Sequence, residues 1–153
     1  MKTDVARINM HDPIDSLQSE LAKLPQYEPV TTHHFHGGIY CREVWRDAGV
    51  LVIGKVHKKA HFYEIVSGTV QVTNDGGKAE QMTGPVLIKC NPGTKRAVLA
   101  LTPVLCRTFH ATDADTVESA ESQLVEEDNS SMYSVGNSVI DRLASQNKME
   151  VLP

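Results

Sequence analysis

"GKVHKKAHFYEIVSG", Gly54 to Gly68, sets two histidines four positions apart at the head of a run rich in aromatic and β-branched residues. From His61 the run predicts a strand, because such side chains suit a pleated, half-buried surface and the closing glycine breaks it. Strand side chains alternate between faces, so His61, Tyr63 and Ile65 share one side and Phe62, Glu64 and Val66 the other. If His61 points into a core, Glu64 points away from it.

The same grammar extends in both directions. Between about residues 30 and 111, short β-rich runs such as "GIYCREVW", "VLVIGKV", "TVQVTND", "VLIKC", "RAVLAL" and "VLCRTFH" alternate with turn signals at "DAG", "SGT", "NDGG" and "NPGT". Seven or eight short strands with no helical period between them predict an antiparallel sandwich or barrel. Val50, Leu51, Val52 and Ile53 are apolar at successive positions. Their strand is therefore expected to be covered on both faces, by the interior on one and by a terminal helix or second subunit on the other.

The flanks read differently. In "DPIDSLQSELAKLP", Asp12 suits a helix cap and Pro13 a first turn, while Ile14, Leu17, Leu21 and Leu24 recur at helical spacing. In "TDADTVESAESQLVEEDNSS", Thr112 and Asp115 match a capping box, and Val117, Ala120, Leu124 and Val125 give an apolar stripe. The acids of that segment, Asp113, Asp115, Glu118, Glu121, Glu126, Glu127 and Asp128, have no Lys or Arg among them and read as a solvated face, with an acidic docking surface as the other reading. "SVIDRLAS" reads as another brief helix. The chain thus divides into a helical arm over 1–29, a β domain over 30–112 and an acidic helical extension over 113–153.

Composition excludes several classes of partner. With 153 residues, 41% hydrophobic, the chain suits one core, and a net charge of −4 gives no general attraction to nucleic acid or an anionic membrane. The longest apolar run, Ala97 to Leu101, falls far short of the roughly 20 residues of a membrane span, and "MKTDVARINMHDP" lacks the apolar core of a signal peptide. Cys41, Cys90 and Cys106 form no CxxC pair or even set, so they read as buried thiols of a reducing compartment.

The middle segment resembles a cupin. The family pattern runs Gly, five residues, His-x-His, three or four residues, Glu, six residues, Gly, with a later Pro-x-Gly-x-x-His. Aligned on Gly68, its first His falls on Lys55, its second His on His57 and its Glu on His61; in "NPGTKR", Arg96 stands where the last His is expected. The resemblance implies an all-β, cupin-type jelly-roll barrel with short N- and C-terminal helices, and a ligand set in which only His57 keeps its type. A cation about 4 Å from a divalent ion repels it by roughly 8 kcal/mol at an effective dielectric of about 20. "HHFHGGIYCREV", "GKVHKKAH", "NPGTKRAV" and "TFHATD" also resemble the small cupins of bacteriophages and prophages.

Two functions remain open. One is a non-catalytic, oligomeric structural or binding module without a cofactor, a bacteriophage virion or assembly component made in the host cytoplasm. Its barrel mouth, lined by Lys55, Arg96 and Arg107 beside His57 and His61, suits a small anion; the other reading of these cations is that they line the rim or pair with carboxylates such as Glu43. The alternative is a metal-dependent dioxygenase, isomerase or lyase holding one divalent transition metal through His57, His61 and His110, with Tyr63 or His34 as acid or base. The expected partners are copies of the chain or other virion proteins.

Overall fold

The computed structural model describes residues 12–24, 27–73 and 77–126. Helix α1 (Asp12–Leu21) precedes β1 (Val30–His36), β2 (Ile39–Arg46), β3 (Leu51–Ile53), β4 (His61–Ser67), β5 (Thr69–Thr73), β6 (Ala79–Thr83), β7 (Val86–Cys90), β8 (Ala97–Ala100) and β9 (Val104–Ala111); α2 (Val117–Leu124) follows. The strands pair antiparallel in a five-stranded sheet, β1-β2-β9-β4-β7, and a four-stranded sheet, β3-β8-β5-β6. This is the two-sheet all-β architecture with a helix at each end that the sequence predicts. "SVIDRLAS" lies outside the described residues.

The core follows from alternation. Ile65, Val70, Val72, Val98, Ala100, Val104 and Cys106 form the main cluster, with Tyr63, Met82, Val86 and Ile88 packed against it. On β9 this puts Val104, Cys106 and His110 inside and leaves Arg107 on the opposite face. Gly68 has φ +92° where β4 turns into β5, and a Cβ there would fall on Pro103 O and within 2.8 Å of Val104 Cγ2. Only glycine suits that turn.

Helix α1 covers the outer side of β3, as the doubly apolar strand requires. Ile14 packs with Val52, Ile53 and Ala97, and Leu21 and Ala22 lie against the same cluster. The buried stripe is rotated from the predicted one: Gln18 is buried, whereas Leu17 and Leu24 are exposed. Asp15 accounts for the rotation, because its Oδ1 accepts from the buried Lys95 Nζ at 2.8 Å.

Helix α2 departs further from expectation. Its N-cap is Thr116, whose hydroxyl accepts from Ser119 N, and not Thr112. Thr112 Oγ1 instead accepts from Ala114 N and donates to Gln123 Oε1. Ala120 and Leu124 pack on the fully buried Tyr40. After the helix the chain bridges back to the barrel: Lys58 N donates to Leu124 O, Glu126 N to Val56 O, and Val125 pairs with His57. Among the described residues no helix is long and apolar enough to cross a membrane.

Candidate functional site

The site is assembled at one end of the space between the sheets. His57 is fixed by the bridge to Val125, and its carbonyl accepts from Gly93 N in the "NPGT" turn. His61 opens β4, opposite Cys90 of β7. His110 sits near the end of β9, opposite Tyr40 of β2. The three rings meet, with centroids 4.2 Å apart for His57 and His61, 5.1 Å for His57 and His110, and 4.7 Å for His61 and His110.

Burial sets the charge of this cluster. Desolvation, then the neighbouring His61 and His110, pushes the His57 pKa down to about 2. Desolvation and His61 push His110 down to about 3, and desolvation lowers His61 as well. All three imidazoles are neutral near pH 7. The His61 Nδ1–H donates to Lys59 O at 3.3 Å, and His110 Nε2 is 2.9 Å from Thr108 Oγ1.

Beside the rings lies a cavity of about 120 Å³. Its wall carries the cationic side chains of Arg42, Arg46, Lys55 and Arg96 against apolar Val44, Val52 and Val98, and no carboxylate among the described residues. Arg96 is held by donation from Nη1 to Thr73 O at 2.7 Å. One carboxylate enters from outside the wall: Glu121 of α2, only 5% exposed. Its Oε1 accepts from Arg42 Nη2 at 2.8 Å, and its Oε2 lies 3.7 Å from Lys55 Nζ. Arg42 Nε also donates to Tyr40 OH at 3.0 Å, and that hydroxyl touches His33 Nδ1.

The structure brings together Lys55, His57, His61, Arg96 and His110, and Arg107 is also among the residues lining the cavity. Arg107 belongs to a strand that walls the cavity, but its guanidinium turns to the outer face. There its Nε donates to Glu43 Oε2 at 2.7 Å, and its Nη1 lies 3.6 Å from Glu64 Oε1. The Arg107 guanidinium is thus engaged by carboxylates, the pairing with Glu43 that was the other reading of these cations, and Glu64 points outward as parity requires. His34 is on the outer, exposed face of β1 and reaches none of the three rings' side of the sheet. Cys90 and Cys106 are buried thiols, whereas Cys41 is half-buried. Glu121 corrects the reading of the acidic segment as a solvated face, and it partly offsets the Lys55 charge that argued against a metal.

Sequence reasoning missed Arg42, Arg46 and Glu121. The two arginines were within reach of it: Tyr40, Arg42, Val44 and Arg46 share one face of β2, so a buried Tyr40 carries both inward. Glu121 had a weaker signal, its position next to Ala120 and three before Leu124 on the helix face that docks.

No family model and no curated protein matches the sequence. Solved structures do match in fold. KdgF from Halomonas sp. aligns at 15% identity over 59% of this chain and 85% of its own, with a TM-score of 0.51. The DMSP lyase DddQ from Ruegeria pomeroyi DSS-3 aligns at 13% identity and a TM-score of 0.50 over 58% of this chain, which spans 49% of the lyase. The cupin domain of an XRE-family transcriptional regulator from Enterobacter cloacae aligns at 13% identity over 54% of this chain and 95% of its own, with a TM-score of 0.47. The chain has the cupin fold. The segment from Lys55 to His61 supplies two of the three imidazoles, His57 and His61, and β9 supplies the third, His110.

His57, His61 and His110 are the described residues that would hold a divalent metal, the group the fold family implies. Two of the imidazole pairs are stacked, with interplanar angles of 11° and 28°. Among the described residues no three His, Cys, Asp or Glu side chains are arranged to hold an ion together.

Proposed function

We propose that the protein is a non-catalytic cupin-fold module that holds a small anion in its barrel and works as an oligomer. The observation that carries this reading is the wall of Arg42, Arg46, Lys55 and Arg96 around a cavity with no carboxylate among its described residues. A carboxylate about 4 Å from one such cation gains roughly 4 kcal/mol at an effective dielectric of about 20. Neutral imidazoles add hydrogen-bonding groups without adding charge.

Basicity argues against His57 and His110 as general bases. A general base works best with a pKa near the operating pH. With pKa values of about 2 and about 3, His57 and His110 are far too weakly basic to take a proton at pH 7. The oligomer is supported by the outer face of the five-stranded sheet, where Val30, Ile39, Trp45, Phe62 and Leu87 are exposed around the paired row Glu43, Arg107 and Glu64. A second copy of the chain is the occupant proposed for it. The bacteriophage and virion reading rests on sequence resemblance alone.

The test is thermal stabilisation by a panel of small carboxylates and phosphate, on the native protein and on Lys55→Met/Arg96→Met. Binding to folded protein raises the melting temperature with ligand concentration. The expected result is a rise in the native protein that the double variant lacks while keeping its fold. A rise that survives in the variant moves the site elsewhere, and no rise with any anion removes the proposal.

A further inference from the structure

We propose that Arg42 and Lys55 are the pair that receives the ligand's carboxylate, that Glu121 of α2 takes its place when the cavity is empty, and that the ligand is a small monocarboxylate with an apolar body. This rests on the anion-binding reading above and names its ligand class and its internal competitor.

Glu121 is bound as a ligand would be. It stands on a helix whose neighbouring Glu118 and Ser122 are exposed, yet it is buried. One of its oxygens is bonded to Arg42 at 2.8 Å and the other lies 3.7 Å from Lys55, so a single carboxylate spans two cations that come from β2 and from the segment after β3. A free carboxylate can make the same two contacts, with charge-assisted hydrogen bonds of the same kind. The rest of the cavity selects the body: besides Arg46 and Arg96, the apolar Val44, Val52, Ile53 and Val98 face a space of about 120 Å³. An apolar cavity of about 150 Å³ accepts benzene, so an occupant of roughly that size is indicated.

The element carrying Glu121 is suited to exchange. Helix α2 has eight residues and buries only Ala120, Glu121 and Leu124. A helix this short has little stability of its own, so its docking supplies most of its order. It is joined to β9 by residues 112–116, which form neither helix nor strand. When the ligand's carboxylate displaces Glu121, that carboxylate returns to solvent with the helix, and the apparent affinity is lowered by the fraction of molecules in which the latch is closed.

The experiment measures benzoate and inorganic phosphate binding by calorimetry to the native chain and to Glu121→Gln. It also follows hydrogen exchange of the amides of residues 117–124 with and without benzoate. The expected result is benzoate binding that tightens about tenfold or more in Glu121→Gln, phosphate binding weaker than benzoate, and faster exchange in α2 when benzoate binds the native chain. Binding by Glu121→Gln alone supports the latch equally. Equal benzoate affinity in both chains with unchanged α2 exchange overturns the latch and leaves the anion cavity standing, and phosphate binding more tightly than benzoate overturns the ligand class. No binding by either chain overturns this inference together with the anion reading. Should Glu121→Gln fail to fold, the exchange measurement on the native chain decides alone: α2 must loosen with benzoate.

Discussion

His57 and His110 tie the protein's stability to pH. Each is held neutral in the folded state, at about 2 and about 3, and titrates near 6.5 when the chain unfolds. Below 6.5 the unfolded state therefore binds more protons than the folded one. Their contribution is intact above that pH and is lost as pH falls toward 3. Between pH 7 and pH 5 the loss is about 2 kcal/mol for each ring. Urea titrations at the two pH values are expected to show a lower midpoint at pH 5, and His110→Gln is expected to flatten the difference. At Gly68, substitution by alanine strains a left-handed backbone and drives a methyl group into Pro103 and Val104. The expected cost is about 3 kcal/mol or more, read from the same titrations.

Among the elements, α1 and α2 dock by different means. Ile14 is 7% exposed against β3 and β8, so Ile14→Ala is expected to cost about 2–4 kcal/mol in chemical denaturation. Helix α2 depends on its cap, and Thr116→Ala is expected to cost about 1 kcal/mol, with faster exchange confined to the helix. The helices also mark the limit of what could be read from the chain. The run from Leu51 to Ile53 is apolar at every position, and that alone required a cover. Which way α1 faced depended on Asp15 meeting Lys95, 80 positions away, and no local pattern carries that pairing. Strand β6, "AEQMT", escaped notice because it is polar and mostly exposed, so burial imposes no alternation on it. Parity placed Glu64 and Arg107 once the strands were known, whereas Glu121 was hidden by its acidic neighbours.

For the whole molecule, assembly and metal content are the measurements that matter most. Sedimentation at micromolar concentration is expected to show an oligomer, and Trp45→Glu with Leu87→Glu to show a monomer of unchanged fold; a native monomer sinks the assembly reading. Elemental analysis of protein purified without chelator is expected to find less than about a tenth of an equivalent of any transition metal. A full equivalent would favour the enzyme alternative. The fold was legible because alternation and turn residues recur through the middle of the chain. The site was only half legible, since its balance of charge depends on a residue from outside the barrel.

That dependence bears on how the molecule is made. A ribosome releases the barrel strands before α2, so Arg42 and Lys55 emerge ahead of the carboxylate that later sits between them. Until Glu121 clears the exit tunnel, Arg42 and Lys55 lack that carboxylate, and a fragment ending at residue 112 lacks it permanently.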